Sequence, residues 1–195
     1  EKYKKPFVFA SSQMSNMSHS PYGVLKRVGE LYAQTLKGLT VKFWNVYGIE
    51  TDHEKAHVIT DFIRKGFEEG EFEMLTDGTE ERQFLYAEDC CEALETIMES
   101  YSDFKPTDPL HVTSFNSHSI KYVADTIQGQ FNLLGADVDK KYMDVKIKPG
   151  LAKDSVQMDK RNEADNYILG WWSPTTGLDK GIAKVFAEMK KEYVK

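Results

Sequence analysis

The chain has 195 residues, 41% of them hydrophobic and 29% charged, with a formal net charge of −6 at pH 7. That length holds one large domain or one and a half ordinary ones, with enough apolar material for a real core. The acidic balance argues against a general nucleic-acid binder, and no apolar run approaches the length of a membrane span.

The sequence opens Glu1-Lys2-Tyr3, without an initiator Met or a secretory signal, and is almost at once in a strand over residues 6–10. It reads as an excerpt or a processed product. From residue 22 to 37, Val24, Leu25, Val28, Leu31, Tyr32 and Leu36 follow helical spacing, with Gly38 as the expected stop. Residues 41–47 read as one β-rich strand. A helix over 57–69 closed by Gly70 and a strand over 72–75 follow, then an Asp77-Gly78 turn. Residues 82–86 predict a strand and 88–99 a helix. Cys90 and Cys91, the only cysteines, lie in that helix without metal-ligand spacing and read as small buried residues of an intracellular protein. A cytoplasmic location is therefore expected. A strand over 110–113, a helix over 119–134 capped by Ser119, and a strand over 142–147 come next. Helices over 160–169 and 178–193 close the chain, separated by Gly170-Trp171-Trp172-Ser173-Pro174. This alternation predicts an α/β layer protein with a largely parallel sheet.

Three Tyr-x-x-x-Lys pairs occur: Tyr22/Lys26, Tyr101/Lys105 and Tyr142/Lys146. An ammonium one turn along a helix from a phenol favours the phenolate by Coulomb attraction, which makes the pair useful for moving an alcohol proton. The second pair runs off a helix end into Pro106. The third falls in alternating sequence that reads as a strand, where positions i and i+4 stand about 13 Å apart. Only Tyr22 and Lys26 open a helix that follows a strand ending in serines, Ser11-Ser12.

Around that pair the chain resembles the extended short-chain dehydrogenase/reductase family, the NAD-dependent nucleotide-sugar epimerases and dehydratases. Phe7-Val8-Phe9-Ala10-Ser11-Ser12 resembles the strand presenting the family's catalytic Ser or Thr, and Pro21-Tyr22-Gly23-Val24-Leu25-Lys26 its S-P-Y-x-x-S-K helix start. Phe43-Trp44-Asn45-Val46-Tyr47-Gly48 is similar to R-Y-F-N-V-Y-G-P, with Lys42 at the Arg position. Asp77-Gly78 with Arg82-Gln83-Phe84-Leu85-Tyr86-Ala87-Glu88-Asp89 resembles D-G-x-x-x-R-D-F-V-H-V-D-D, and Leu169-Gly170-Trp171-Trp172-Ser173-Pro174 the closing L-G-W-x-P.

The resemblance implies the rear part of a Rossmann-like doubly wound parallel sheet (residues 1–50 and 80–118) plus a small α/β substrate-binding region (51–79 and 119–195). No G-x-x-G-x-x-G or G-x-G-x-x-G occurs, so the N-terminal Gly-rich dinucleotide-binding unit is absent from these residues. It implies Tyr22 as acid/base, Lys26 binding the nicotinamide ribose, and Ser12 holding the reacting sugar oxygen. Asn45, Arg82 and Lys148 would contact the nucleotide-sugar, with Arg82 suited to phosphate by its two-pronged donor geometry. NAD or NADP is expected for the complete enzyme and no measurable binding by this chain alone.

After Ser12 come Gln13 and Met14, which cannot do the carboxylate work of the family's dehydratases or supply the Cys of its 3,5-epimerase/reductases. The expected reaction is 4-epimerisation through a transient ketone. The alternatives are one-way reduction or oxidation within the same family, or a non-catalytic binding and assembly module. The helix over 22–37 resembles the family's dimer helix, so a homodimer or higher oligomer is expected, with no nucleic-acid or membrane partner. His53, His57, His111 and His118 lack metal-ligand spacing and read as solvated or capping. Trp171 and Trp172 read as packing the C-terminal helices.

Overall fold

The computed structural model describes residues 5–17, 20–50, 52, 56–151 and 162–194. Strand β1 (Val8–Ser12) leads through a 3-10 turn, Gln13–Asn16, into helix α1 (Pro21–Thr35) and back to β2 (Leu39–Phe43). β6 (Leu110–Val112) completes a three-stranded parallel sheet in the order β1-β2-β6. The register sets Ser11 beside Lys42 and Lys42 beside His111, so polar side chains share one face. That face lies under α1. Leu39, Val41, Leu110 and Val112 point the other way, against Cys90, Ala93 and Ile97 of α3 (Ala87–Glu99). Helices thus cover both faces of a parallel sheet, as the doubly wound arrangement requires.

A second group of strands carries the rest. β3 (Asn45–Tyr47) pairs parallel with β5 (Glu81–Tyr86), and β5 pairs antiparallel with β7 (Ser117–Ser119). β4 (Glu71–Glu73) pairs parallel with β8 (Lys146–Lys148). Helices α2 (Val58–Glu69), α4 (Ile120–Asp137) and α5 (Leu178–Tyr193) pack around them. Phe62 stacks on Phe72 with ring centroids 4.7 Å apart, and Phe131 meets Phe186 edge-on at 4.8 Å. Alternation along β5 joins the two cores. Phe84 and Tyr86 enter this one, whereas Leu85 enters the core beneath α3.

Several expectations need correction. Residues 41–47 are two strands in different sheets. The backbone folds tightly at Trp44, where Val46 N donates to the Trp44 carbonyl at 3.1 Å, and this releases Asn45–Tyr47 to pair with β5. The 142–147 strand is a 3-10 turn, Lys140–Asp144, followed by the short β8; the Asp139 carboxylate accepts from Lys141 N at 3.0 Å and starts that turn. Of the helix expected over 160–169, residues 160 and 161 lie outside the described residues. The remainder is irregular up to a 3-10 turn, Tyr167–Gly170, because the Asp165 carboxylate takes the Tyr167 N–H. Lys37, with φ +62°, makes the left-handed stop of α1 in place of Gly38, whose amide closes the motif on the Ala33 carbonyl at 2.8 Å. Gly38 is small for another reason: the Phe7 ring lies against its Cα. Cys90 is buried as expected but Cys91 is exposed. Trp172 is buried in the core beneath α3, and Trp171 packs on Phe104 and Tyr167.

Candidate functional site

Ser12 ends β1 at the C-terminal edge of a parallel sheet, the edge at which open α/β sheets bind ligands. Its hydroxyl caps the following turn, accepting from Met14 N at 3.2 Å. Helix α1 starts on that turn. Ser20 caps it by accepting from Gly23 N at 3.1 Å, and Pro21 supplies the preset first-turn φ. A Cβ on Gly23 would collide with the Met14 carbonyl and stand 2.8 Å from that of Met17. Glycine therefore lets the helix start settle directly onto the turn behind Ser12. Tyr22 sits in this first turn, 54% exposed. The Lys26 ammonium lies 5.6 Å from the Tyr22 ring centroid and donates to the Ala10 carbonyl on β1 at 2.8 Å. Ser12, Tyr22 and Lys26 are thus gathered at one end of β1.

The other two pairs do not share a helix. Tyr101 lies in a 3-10 turn with its hydroxyl on the Phe7 carbonyl, and Tyr142 lies in a 3-10 turn while Lys146 belongs to β8. The third pair fails, then, for a reason other than the continuous strand expected of it.

Beneath α1 lies a buried ionic cluster that the motif reading passed over. Glu30 accepts from Ser11 Oγ at 2.5 Å and from Arg27 at 2.8 Å, and its carboxylate stands 3.4 Å from the Lys42 ammonium. Burial opposes ionisation of Glu30, but the hydrogen bonds and the Lys42 charge outweigh it and hold the carboxyl below its ordinary range. Burial also pulls the Lys42 ammonium down. The signal was in the sequence: a lysine inside the apolar run Val41-Lys42-Phe43-Trp44 needs a partner. His111, beside Lys42 in register, is buried rather than solvated, accepts from Trp44 Nε1 at 3.4 Å, and is pushed down to about 4 by burial and by the Lys42 charge. His118 stacks on Tyr122, and His53 lies outside the described residues.

A cavity of about 370 Å³ opens between β3, β5 and the start of α2, a size suited to a small molecule. Asn45 and Arg82 both line it, with Tyr47, Phe62, Phe84 and Ile120 among its apolar walls. Asn45 donates from Nδ2 to the Gln83 carbonyl at 3.1 Å, and Arg82 donates to the Glu81 carbonyl at 2.9 Å. A hydrogen bond from Gln13 Nε2 to Asn45 Oδ1 at 3.4 Å joins the Ser12 turn to the cavity. His57, at the cavity wall, is clasped by Glu50 through both its ring and its amide. Burial works against the Glu50 charge, yet these bonds hold its carboxyl below the ordinary range. Lys148 does not line the cavity. It is ion-paired with Glu71 on the adjacent strand β4. Among the described residues no cluster of His, Cys, Asp and Glu could hold a metal ion, and no helix is long and apolar enough to cross a membrane.

A sequence-family model described as the NAD dependent epimerase/dehydratase family matches residues 8–113. The chain belongs to that family. A GDP-L-fucose synthase of Sinorhizobium fredii (strain NBRC 101917 / NGR234) is 28% identical over 149 residues, which are 73% of this chain and 43% of that protein. Among solved structures, a UDP-glucose 4-epimerase of Thermotoga maritima with UDP-glucose superposes with TM-score 0.71 at 18% identity. A UDP-N-acetylglucosamine 4-epimerase of Methanobrevibacter ruminantium M1, in complex with UDP-N-acetylmuramic acid, does so with TM-score 0.74 at 19% identity. Each superposition covers 96% of this chain and 64% of the other. At such identity the two structures establish the fold, and the chain spans less than two thirds of these relatives.

Proposed function

We propose that this chain carries the acid/base and sugar-nucleotide-binding part of an NAD(P)-dependent nucleotide-sugar 4-epimerase. One observation carries the reading. Ser12 ends β1, Lys26 reaches the β1 carbonyl of Ala10 beside the Tyr22 ring, and an amide contact from Gln13 leads from that turn to a cavity lined by Asn45 and Arg82. Tyr22 takes the proton of a sugar hydroxyl and later returns it, Lys26 favours the phenolate by its charge, and Ser12 hydrogen-bonds the same oxygen. Arg82 holds a phosphate of the nucleotide and Asn45 orients the sugar beside it. The Lys26 ammonium has three N–H donors; with one committed to the Ala10 carbonyl, two remain for a ribose diol. Bound NAD(P) supplies hydride acceptance and return. The division of labour follows the two cores, one beneath α3 with the acid/base residues at its edge and one among α2, α4 and α5 walling the cavity. Lys148, held by Glu71, is assigned no ligand contact in this scheme. A cytoplasmic site of action accords with the family.

Titration of the chain with UDP and with GDP by calorimetry tests the cavity. Binding of one or both is expected, weakened about tenfold to a hundredfold by Arg82→Ala, since a lost charge-assisted bond is worth about 1.5–3 kcal/mol. NAD(H) at the same concentrations is expected to give no heat with the isolated chain. An Arg82→Ala variant that binds both nucleotides as well as the parent would sink the assignment.

The outward face of α1 bears on assembly. Leu25, Leu31, Tyr32 and Leu36 are exposed on it, and half-covered Val24 and Val28 extend the apolar strip. The outer edge of β1 has no partner strand among the described residues. A second copy of the chain is the proposed occupant of this face, since large contiguous apolar patches mark interfaces. Light scattering at micromolar concentration should give at least twice the 22.4 kDa chain mass, with Leu25→Lys/Leu31→Lys reverting it to monomer. A parent chain that scatters as a monomer rejects the dimer.

A further inference from the structure

We propose that Gln13 is a positioning residue that sets which end of the Asn45 carboxamide faces the cavity wall; the meaning of that orientation for nucleotide-sugar binding rests on the cavity reading above. Gln13 follows Ser12 directly and is 4% exposed. It stands fourth in a line of donors and acceptors that crosses the molecule. Lys42 Nζ donates to Asn16 Oδ1 at 2.5 Å, and Asn16 Nδ2 to Asn162 Oδ1 at 3.3 Å. Asn162 Nδ2 donates to Gln13 Oε1 at 3.2 Å, and Gln13 Nε2 to Asn45 Oδ1 at 3.4 Å. Asn45 Nδ2 then donates to the main-chain carbonyl of Gln83 at 3.1 Å.

The two ends of this line have only one possible sense. An ammonium donates and cannot accept, and a peptide carbonyl accepts and cannot donate. Between them lie four carboxamides, each with one donor end and one acceptor end. Only one arrangement satisfies every link: each amide turns its oxygen toward Lys42 and its nitrogen toward Gln83. If Gln13 reversed, its oxygen would face the Asn45 oxygen and its nitrogen the Asn162 nitrogen, breaking two bonds at a buried position. The orientation of Asn45 at the cavity is thus held from two sides, by Gln83 and by Gln13. The ammonium that sets the sense is itself anchored by Glu30, on the helix that carries Tyr22 and Lys26. Gln13 does chemistry of no kind in this role; it fixes a neighbour.

Two variants of the full chain separate positioning from packing. Gln13→Met keeps the length and loses the polarity, whereas Gln13→Glu keeps the shape and replaces the donor by a carboxylate. The readouts are the side-chain amide NMR resonances of Asn45, calorimetric titration with UDP and GDP, and thermal unfolding. In Gln13→Glu at about pH 8 the Asn45 amide resonances should move and nucleotide binding weaken about tenfold, the loss expected for one unmade buried bond. At about pH 5 a buried carboxyl is protonated and donates again, so both readouts should return to those of the parent chain. Gln13→Met should show the displaced resonances at both pH values, and the parent chain at neither. Asn45 resonances that stay unmoved in both variants overturn the proposal, as does a change in Gln13→Glu that acid does not reverse while the fold persists. If the parent chain binds neither UDP nor GDP while the Asn45 resonances respond as stated, the positioning role stands and the cavity reading falls.

Discussion

Replacing Glu30 by alanine should destabilise the fold by about 3–5 kcal/mol in urea unfolding, among the largest single-residue effects available in this chain. The reason is the partner left behind. The side chains of Glu30 and Lys42 are each 4% exposed, and their charges stand 3.4 Å apart. Removing the carboxylate strands an ammonium between β2 and α1 and frees the Ser11 hydroxyl and one arm of Arg27. The pair itself need not be strongly stabilising, because its attraction is set against the desolvation of both charges. The double variant Glu30→Leu/Lys42→Met should accordingly lose less than Glu30→Ala alone, and that inequality is the informative comparison.

The cost of Glu30→Ala should shrink at both ends of the pH scale, through the parent in acid and through the variant in alkali. A carboxyl held below its ordinary range contributes stability that is complete above that range and lost as pH falls through the depressed value, so acid should erode the contribution of Glu30. In Glu30→Ala the unpaired Lys42 is easier to deprotonate, and the deficit should shrink as pH rises toward the alkaline limit of the assay. A Glu30→Ala cost below about 1 kcal/mol, or one that acid and alkali leave unchanged, would mean that water already reaches the pair.

What the sequence made legible was whatever local spacing determines. Helix α5 lies where the sequence places it, over 178–193, and Ser119 caps α4 by accepting from Tyr122 N at 3.1 Å, as its position implied. The family resemblance was readable because its motifs are contiguous. Two of the misreadings share a physical origin in polar side chains that take over a backbone N–H. Asp139 and Asp165 each divert a segment from strand or helix into a 3-10 turn, and such competition leaves the apolar period intact. Strand β7, Ser117–Ser119, escaped notice because three polar residues at a sheet edge carry no alternation. In the candidate site, Tyr22 and Lys26 could be chosen from three pairs by local context. The amide line through Gln13 could not, since its members come from five separate segments and its polarity is fixed by tertiary neighbours alone.

Tyr22→Phe should lower kcat by about 10²–10⁴-fold, the range for loss of a positioned acid/base, in a protein that unites this chain with a dinucleotide-binding unit. Binding of the nucleotide should change little, because Arg82 and Asn45 are untouched; the loss belongs in kcat rather than in KM. Stability should stay within about 0.5 kcal/mol, since the Tyr22 side chain is more than half exposed. The other two pairs supply internal controls. Tyr101→Phe removes a hydroxyl that bonds the Phe7 carbonyl at 3.0 Å, so it should cost about 1 kcal/mol of stability and leave kcat unaltered. Tyr142→Phe should likewise leave kcat alone. Two signatures would thus separate one sequence pattern into its chemical and structural instances. If Tyr22→Phe retained more than about a tenth of the parent rate, a group other than this phenol would have to move the proton. The close seating of α1 on the Ser12 turn, made possible by Gly23, would then serve packing alone.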